Sequence, residues 1–437
     1  MAEHQQHVVI VGGGFAGLHA ARKLGKSGYR VTLLDKRNFQ LFQPLLYQVA
    51  TGSLPPGDIA TPLRAVLRNY PNVRVIQATA YDVEPKARLL KHEYGEEHYD
   101  ILIAATGVKH NYFGRDHWQQ FAPGLKTVEH AIEIRHRIFK AFELAEVSED
   151  AAQRAELMTF VVVGGGPTGV ELAGAIGELA HKTMVKDFRR IDPREAKILL
   201  IEGARGVLPV YDAKLRAAAC KSLEKLGVTV VTETLVEDLG THYVRTRKGE
   251  LRETLRAGTI LWAAGVKASM FGEILAQRTG AQLDKAGRVV VNGDCSLPQH
   301  PEIFVTGDLA RLTDARGRDV PGLAQGAIQQ GQYVAKLLVA RARGRPVKPF
   351  VYRDLGSMAV IGMNHAVGDL GFIKVSGLFG WFIWAFVHVV SLIDAQQRFS
   401  VFLQWTWKYF TRRQGDRLIT GNPTKTRELR ARFNKAA

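Results

Sequence analysis

Two segments of the sequence carry the glycine spacing that binds a dinucleotide. They lie within residues 7–24 and 159–179, and each combines a valine-rich apolar run, the pattern G-x-G-x-x-G and an amphipathic helical pattern. The first glycine permits a tight turn, the second lets the backbone approach a pyrophosphate, and the third lets the helix pack on the strand. The helix N-terminus then offers N–H groups to the anion. Two such turns predict two bound dinucleotides, and electron transfer between them is the simplest chemistry.

An acidic residue should end the second strand of each unit, where it can accept hydrogen bonds from ribose hydroxyls. Asp35 stands at this position in the first unit, 18 residues after Gly17, and Glu202 stands there in the second. The alternative is that both carboxylates are only solvated strand ends. Glu202 favours NADH over NADPH because a carboxylate repels a 2′-phosphate, although the nearby Arg205 weakens that preference. The longer interval in the second unit predicts that residues 181–195 extend its helix.

The 437-residue chain has the composition of a globular protein, with 46% apolar and 23% charged residues. Its two cysteines, Cys220 and Cys295, fit neither a disulfide framework nor a metal site, and they suit a reducing compartment. They also do not supply the cysteine pair that a flavin disulfide reductase needs shortly after its first unit. The N-terminus has no apolar signal segment, so we do not expect secretion.

One arrangement occurs twice along the chain. The apolar run before Thr106-Gly107 is echoed before Ala264-Gly265, and a strand pattern returns at about residue 287. We therefore predict an α/β protein with two Rossmann-like dinucleotide-binding domains, the second inserted in the first, and a C-terminal amphipathic helical membrane anchor. The predicted boundaries are 1–118 and 287–368 for the two parts of the first domain, 119–286 for the second domain, and 369–437 for the membrane-associating helices and basic tail.

A third acidic residue follows the returning strand. Asp308 lies in the phrase TGDLA, where flavoproteins with two dinucleotide folds use an acid to hydrogen-bond the ribitol or pyrophosphate region of FAD. The next helix opens after Pro321-Gly322, and its N-terminal dipole would stabilise the negative charge of reduced flavin. Its Gln325 and Gln329 either line a site or form a polar helix face in water.

The composition changes at residue 369, where aromatic and apolar residues become dense. Residues 376–393 form an 18-residue stretch without formal charge, and residues 399–410 form a shorter, aromatic-rich amphipathic segment. One spanning helix, a helix pair lying in the membrane interface and a buried hairpin at a protein interface are the three alternatives. We favour the interfacial pair, because the second segment cannot span a bilayer. The tail at 408–437 adds nine Lys/Arg against two acids, seven of the net charge of +17, which suits anionic lipid.

These features together resemble one family, the type II NADH dehydrogenases, which are single-subunit, non-proton-pumping NADH:quinone oxidoreductases. The resemblance runs from residue 8 to about 421. It implies non-covalent FAD, NADH, a membrane quinone and the bilayer surface as partners, with a peripheral, monotopic location on the cytoplasmic face of the inner membrane. Residues 394–398, DAQQR, depart from the glycine and basic-polar run of many relatives. The matching motifs are GGGFAG with Asp35, FQPLLYQVATG, GGGPTGVELAG with Glu202, TGDLA, AQGAIQQG, YRDLGSMAVIG and WFIWAFVHVVSLI.

The resemblance also assigns site residues. Glu171 falls near the nicotinamide and flavin, Gln325 and Gln329 line the quinone pocket, and Lys374 matches a lysine near the flavin; these are the candidate catalytic residues. No metal site is implied, and no calcium-binding loop is inserted. The candidate cofactor-binding residues are Gly12, Gly14, Phe15, Ala16, Gly17, Asp35, Lys36, Thr106, Gly107, Asp308, Ala324, Gly164, Gly166, Gly169, Glu202, Ala264 and Gly265.

Three other functions fit parts of the sequence. A soluble NADH-dependent flavin reductase of an electron-carrier protein would suit the positive charge, but it does not need the aromatic helices. A sulfide:quinone reductase shares the architecture but needs redox cysteines near the flavin. A redox-inactive flavoprotein that binds nucleic acid or protein through its basic surface is opposed by the intact glycines and acids. We therefore expect no nucleic-acid partner, and a homodimer is left open.

Overall fold

A computed structural model of the protein describes residues 5–420. Within this range helices pack around two separate mainly parallel sheets, so the predicted α/β class is confirmed. The helices are α1 (Phe15–Leu24), α2 (Leu46–Ala50), α3 (Leu63–Leu67), α4 (Val128–Val147), α5 (Ala151–Leu157), α6 (Pro167–Glu178), α7 (Ala213–Lys225), α8 (Met270–Thr279), α9 (Ala324–Arg341), α10 (Gly377–Ser391) and α11 (Ala395–Thr411).

The strands are short, with at most six residues each. They are β1 (His7–Val11), β2 (Arg30–Asp35), β3 (Phe39–Leu41), β4 (Ala60–Pro62), β5 (Val73–Gln77), β6 (Ala80–Glu84), β7 (Leu89–His92), β8 (Gly95–His98), β9 (Ile101–Ala104), β10 (Val108–His110), β11 (Thr159–Val163), β12 (Lys197–Ile201), β13 (Val228–Val231), β14 (Leu235–Leu239), β15 (Tyr243–Lys248), β16 (Leu251–Arg256), β17 (Thr259–Trp262), β18 (Val266–Ala268), β19 (Val289–Val290), β20 (Ser296–Leu297), β21 (His300–Val305), β22 (Ala310–Arg311), β23 (Ser357–Gly362), β24 (His365–Asp369) and β25 (Lys374–Ser376).

The first sheet has the strand order β20-β21-β9-β1-β2-β5. Its central strand β1 is buried along its whole length and pairs in parallel with β2, Val8 opposite Val31, and with β9. A continuous apolar run of this kind is typical of a parallel strand covered on both faces. α1 packs directly against α9, and the approach is so close that a side chain on Gly331 would collide with the Ala16 carbonyl.

The second sheet has the order β13-β12-β11-β17, and all its pairs are parallel. Its central strand β11 is also buried along its length and precedes α6, as β1 precedes α1. A three-stranded antiparallel meander, β14-β15-β16, follows β13 in the chain. The two units therefore have the same strand–turn–helix start.

The chain leaves the first sheet after β9 and rejoins it at β20 and β21, and β21 pairs with β9 through Ile303 opposite Leu102. All strands of the second sheet lie between these two points in the sequence. This path supports an inserted second unit, while the boundaries at 118, 286 and 368 stay predictions. The antiparallel pair β10–β18, with Val108 opposite Ala268, joins the ends of the two echoed segments.

The prediction that residues 181–195 extend the helix of the second unit is wrong. α6 ends at Glu178, one turn of π-helix follows, and most of the remaining segment is irregular. A side chain of another helix holds this segment in place. The Glu146 carboxylate on α4 accepts hydrogen bonds from the backbone N–H groups of Arg189, Arg190 and Ile191. These N–H groups bond to a side chain and not to carbonyl groups of a continuing helix.

The C-terminal part consists of the sheet β23-β24-β25 and the two helices α10 and α11. One side of the helix pair joins the core of the protein, where Trp384, Leu392 and Val401 are buried. Within residues 5–420, no helix combines the length and the apolar character needed to cross a membrane. The predicted basic tail lies partly in residues 421–437, which are outside the described residues.

Candidate active site

The first glycine turn leaves an open space in front of a helix N-terminus. Gly12 has φ +103°, and a side chain there would collide with the Ala105 carbonyl, as one on Gly17 would collide with the carbonyl of Gly12. Nothing lies within 4 Å of the Cβ position of Gly14. Two of these glycines are therefore required by the turn itself, whereas Gly14 keeps space free for a ligand. An anionic pyrophosphate fits such a cradle at the start of α1.

Asp35 ends β2 beside this turn. Its carboxylate accepts hydrogen bonds from the N–H groups of Gly13, 2.6 Å away, and Arg37, 2.7 Å away. Burial raises the pKa of Asp35, and the two hydrogen bonds oppose that shift. The acid therefore fixes the turn, and its remaining lone pairs are available to a ribose hydroxyl. The neighbouring Lys36 is exposed.

The second turn repeats this geometry. Gly164 has φ +109°, Gly169 packs against the Gly164 carbonyl, and the Cβ position of Gly166 again has nothing within 4 Å. Glu202 directly follows β12 and accepts hydrogen bonds from the N–H groups of Gly165 at 2.5 Å and Ala204 at 2.7 Å. Both units therefore carry the same open cradle and the same acidic strand end, which is the arrangement that two dinucleotides require.

The segment that follows β21 lies against the first glycine turn. Gly307 has φ +71°, and its N–H donates to Oε1 of the buried Gln330 at 2.7 Å. The Thr306 hydroxyl is fully buried and has no hydrogen-bond partner in the described protein. Asp308 faces the half-buried Lys126, whose pKa is lowered by burial and raised by this acid. An unpaired hydroxyl and a half-buried cation beside the cradle are suitable partners for the polar parts of FAD.

Gln330 and Lys126 were not predicted from the sequence. Gln330 is the third glutamine in AQGAIQQG, directly after Gln329. Lys126 lies just before the cap of α4, far from either glycine turn in sequence, and no local pattern marks it. Only the return of the chain to the first sheet brings these residues to the first turn.

The echoed segments meet between the two units. The Thr106 hydroxyl lies 2.5 Å from that of Ser269, and the N–H of Ser269 donates to the Gly107 carbonyl at 3.0 Å. Gly265 has φ +72° and packs against the exposed Phe113, while Ala264 is half-buried. The structure therefore brings the predicted residues of both echoed segments to the junction that joins β10 and β18.

Gln325 and Gln329 do not form a free polar face. The amide of Gln325 donates to the Gly356 carbonyl and accepts from the Leu355 N–H, both at 2.9 Å. The amide of Gln329 pairs in the same way with both backbone groups of Arg353, at 2.8 and 2.9 Å. Two adjacent turns of α9 thus hold the segment that leads to β23, just after Ala324 begins the helix.

A cavity of about 50 Å³ lies among α2, α6, β23, α10 and α11. Glu171, which belongs to the helix of the second glycine turn, lines this cavity together with three tryptophans of the C-terminal helices. Burial raises the pKa of Glu171 to about 8, and a hydrogen bond from the Val360 backbone opposes the shift. The lining also includes Tyr47, Gln48, Ser53, Glu178, Trp381, Trp384, Trp405 and Lys408.

Polar atoms along the cavity wall are linked. Trp405 Nε1 donates to Gln48 Oε1 at 2.8 Å, and Gln48 Nε2 donates to the Tyr47 hydroxyl oxygen at 2.8 Å. Burial raises the pKa of Tyr47, and the charge of Glu171 raises it further. Tyr47 and Gln48 belong to the phrase FQPLLYQVATG, which the sequence singled out as a motif but without a role. The hydroxyl hydrogen of Tyr47 is left to donate elsewhere.

Aromatic contacts join the first glycine turn to this cavity. The Phe15 ring meets Phe42 edge-on at 6.1 Å between ring centres, and Phe42 meets His388 of α10 at 6.3 Å. His388 lies 4.5 Å from Trp384, which is stacked on Trp405 at 5.1 Å. Both turns are therefore connected to the same aromatic region, one through Phe15 and the other through α6.

Lys374 lies outside the lining of this cavity. Its ammonium donates to the Asp212 carboxylate at 2.7 Å, and its side chain is half exposed. The hydrogen bond and charge of Asp212 raise the pKa of Lys374. Asp212 caps α7, so in this structure the lysine joins β25 to that helix cap.

Comparisons with known proteins decide the family. A family described as pyridine nucleotide-disulphide oxidoreductase matches residues 6–331, and the NDH2 C-terminal domain matches residues 355–414. The chain is 42% identical over 426 residues to the type II NADH:quinone oxidoreductase Ndh of Mycobacterium tuberculosis, across 95% of this chain and 90% of that protein. The chain belongs to the type II NADH:quinone oxidoreductase family. The predicted resemblance is confirmed.

Solved structures share the fold of this family member. NDH2 of Plasmodium falciparum, solved in complex with NADH, superposes with a TM-score of 0.87 at 20% identity, across 96% of this chain and all of that chain. The sulfide:quinone oxidoreductase of Aquifex aeolicus also superposes, with a TM-score of 0.71 at 19% identity, across 93% of this chain and 95% of that one. The fold alone therefore does not separate the two activities. Cys220 is half-buried and Cys295 is buried, and neither forms a disulfide.

Proposed function

We propose that this protein oxidises NADH through bound FAD and passes two electrons to a membrane quinone without pumping protons. The observation that carries the proposal is the position of Glu171. It lies on the helix that starts at the second glycine turn, and it lines the same cavity as the tryptophans of α10 and α11. A nucleotide unit and an aromatic, surface-facing helix pair thus share one site.

Each glycine turn holds one cofactor in this proposal. The turn at Gly14 holds the FAD pyrophosphate and Asp35 its ribose, with Asp308, Lys126 and Thr306 around its polar parts. FAD, when bound, accepts the hydride equivalent of NADH and supplies electrons for quinone reduction. The turn at Gly166, with Glu202, holds NADH. The protein contributes alignment and electrostatics to the transfer. It stays a prediction that Lys374 and the echoed segments contact a cofactor. The residues of the echoed segments are Thr106, Gly107, Ala264 and Gly265.

The quinone ring enters the aromatic cavity. Below pH 8 the Glu171 carboxyl is mainly protonated, because its pKa is raised to about 8, so it can donate a hydrogen bond to a quinone carbonyl. The Tyr47 hydroxyl, which already accepts from Gln48, can donate a second one. Stacked tryptophan rings suit a flat, apolar substrate. This assignment extends the predicted role of Glu171 from the nicotinamide side to the quinone side of the site.

The outer face of α10 and α11 contacts the bilayer surface. Phe379, Phe386, Phe402 and Phe410 are 63%, 70%, 56% and 79% exposed, which is unusual for a protein surrounded by water. Basic residues follow at the end of α11, where they can meet anionic lipid headgroups. We infer a peripheral, monotopic location on the cytoplasmic face of the inner membrane. A homodimer stays a prediction.

Quinone-dependent NADH oxidation tests this function. Purified full-length protein in liposomes should consume NADH only when a long-chain quinone is present in the bilayer. Consumption that requires an added soluble electron-carrier protein, and not quinone, would overturn the proposal in favour of a carrier reductase.

The nucleotide preference depends on Glu202. We expect kcat/KM for NADPH to be about 100-fold below that for NADH, because the carboxylate repels a 2′-phosphate by a few kcal/mol at close range. Glu202→Ala should narrow the gap to about tenfold, whereas Glu250→Ala should leave it unchanged. Glu250 is a fair control because it is an exposed acid of the same unit, in the turn between β15 and β16. Equal kcat/KM values in the unchanged protein would contradict the assignment.

The two glutamines of α9 should act on the quinone half-reaction. Gln325→Ala and Gln329→Ala each remove two hydrogen bonds to the segment at 353–356, and we expect quinone reduction about tenfold slower in each variant. Flavin bleaching by NADH should be nearly unchanged in a stopped-flow measurement. Gln332→Ala, at an exposed position of the same helix, is the matched control. Loss of the NADH half-reaction alone would place these glutamines in a nucleotide site.

A further inference from the structure

A second carboxylate, Glu178, lines the aromatic cavity and has no part in the function described so far. It is 7% exposed, its Oε2 accepts from the Met363 N–H at 3.3 Å, and its Oε1 lies 3.9 Å from Lys408 Nζ. A buried carboxylate costs folding free energy unless it is paired. Here the compensation is one long backbone hydrogen bond and one amine at 3.9 Å, so the carboxylate is only weakly paired for a buried charge.

Glu178 and Glu171 lie on the same face of α6. They are seven residues apart, which is two helical turns and about 10 Å along the axis. Both line the cavity, and the Tyr47 hydroxyl and Gln48 amide lie along the same wall. The cavity lining therefore carries two carboxyl groups from one face of α6, together with the polar groups of Tyr47 and Gln48.

Lys408 connects this buried acid to the protein surface. It belongs to the last turn of α11, where Trp407 and Phe410 are 63% and 79% exposed. Its own side chain is 19% exposed, and its ammonium also lies 3.2 Å from the Ser53 hydroxyl. The amine thus stands between the solvent or headgroup side of the helix and the Glu178 carboxylate.

The reaction requires one proton from water in each turnover. A quinone takes up two electrons and two protons, while NADH delivers two electrons and one hydrogen as hydride. The balance is NADH + H⁺ + quinone giving NAD⁺ + quinol. We propose that Glu178 takes up this proton from the surface beside Lys408 and passes it along the cavity toward Glu171 and the quinone. This inference rests on the proposed function.

Among residues 5–420, charged or titratable groups face Glu178 from several of the elements around it. They include Lys408 of α11, Tyr47 of α2, His365 of β24 and Glu171 of its own helix. Burial and nearby lysines lower the pKa of His365, and Glu178 opposes this shift. Of these groups, Lys408 extends toward the surface at the end of α11, so it is the second position to vary.

The test separates the two half-reactions in Glu178→Gln, using the full-length holoprotein in detergent. Enzyme reduced anaerobically with one equivalent of NADH is mixed with a short-chain ubiquinone analogue, and flavin reoxidation is followed from pH 6 to pH 9. We expect reoxidation about tenfold slower at pH 8 and a smaller deficit at pH 6, because protons reach the cavity by other routes more often in acid. Bleaching by NADH should stay within twofold of the unchanged protein.

Rescue and control variants distinguish proton uptake from a structural role. Glu178→Asp should reoxidise at close to the rate of the unchanged protein, and added formate, a small weak acid, should speed reoxidation of Glu178→Gln. Lys408→Met should show the same pH-dependent deficit as Glu178→Gln. Glu143→Gln, an exposed acid of α4, is the matched control and should behave as unchanged protein. A loss that is equal at every pH and not rescued by formate, or no loss in either variant, would overturn the inference. If the unchanged protein itself fails to reduce quinone, the proposed function fails instead.

Discussion

Gly14→Ala should yield a folded protein that has lost its FAD. Alanine is compatible with the backbone of Gly14, which has φ −72°, and nothing lies within 4 Å of the new Cβ. In the proposed complex that space belongs to the pyrophosphate, so we expect bound FAD to fall below about a tenth of the protein. Gly166→Ala should keep FAD but raise KM for NADH by about 100-fold. Absorbance measures the flavin content, circular dichroism shows whether the protein is folded, and steady-state kinetics give KM for NADH.

Two further variants show whether the effect comes from the ligand or from the fold. Gly28→Ala adds a methyl group at an exposed position that also has no neighbour within 4 Å, and it should be neutral. Gly17→Ala should instead perturb the turn itself, because its Cβ would collide with the Gly12 carbonyl. Stoichiometric FAD in purified Gly14→Ala would show that the open space at the first turn is not the pyrophosphate site.

Replacing the four exposed phenylalanines of α10 and α11 by serine should nearly abolish binding to neutral vesicles. Phe379, Phe386, Phe402 and Phe410 point away from the core, so the fold should tolerate the change. If each ring contributes about 1 kcal/mol of insertion, half the value for full burial or less, the partition coefficient should fall by about 10²- to 10³-fold. Flotation with vesicles at low and high salt measures it.

The salt dependence of vesicle binding separates the contribution of the apolar side chains from that of the basic side chains. Each Lys or Arg near an anionic surface is worth about 1 kcal/mol, so the serine variant should keep weak binding to anionic vesicles that high salt removes. Tyr94→Ser, which changes an aromatic residue 78% exposed on the β7–β8 hairpin, should have no effect. Unchanged flotation of the serine variant on neutral vesicles would mean that this face contacts protein and not lipid.

Point substitutions are preferable to deletion of the C-terminal helices. Deletion would also remove Trp384 and Val401, which are part of the core. The segment after α11 is attached as well, because Asp416 pairs with the buried Arg135 on α4 and Gln414 is buried. In a shortened chain, loss of lipid contact could therefore not be distinguished from loss of folding stability.

The sequence predicted the parts of the site whose chemistry is local. A glycine turn, the strand before it and the helix after it occupy about 20 consecutive residues, so Gly12 to Gly17 and Gly164 to Gly169 could be recognised directly. Asp35 and Glu202 follow from the same pattern, because Asp35 ends β2 and Glu202 directly follows β12, the next parallel strand of each unit. The structure shows both acids hydrogen-bonded to the adjacent turn.

The parts assembled from distant segments could not be predicted in this way. Tyr47, Glu178 and Trp405 come from three regions of the chain, and only tertiary packing brings them to one cavity. The spacing of Glu171 and Glu178 on an otherwise apolar helix was the available signal, since two buried acids seven residues apart share a face. The irregular segment at 181–195 was mispredicted because the stabilising carboxylate of Glu146 lies on another helix.

Anaerobic titration tests the central claim most directly. Purified full-length protein in detergent is titrated with NADH while the flavin absorbance near 450 nm is followed, and a quinone analogue is then added. Our account predicts that one equivalent of NADH bleaches the flavin and that one equivalent of quinone restores the absorbance with formation of quinol. Flavin that bleaches but is not reoxidised by quinone, or that NADH does not bleach, would contradict it.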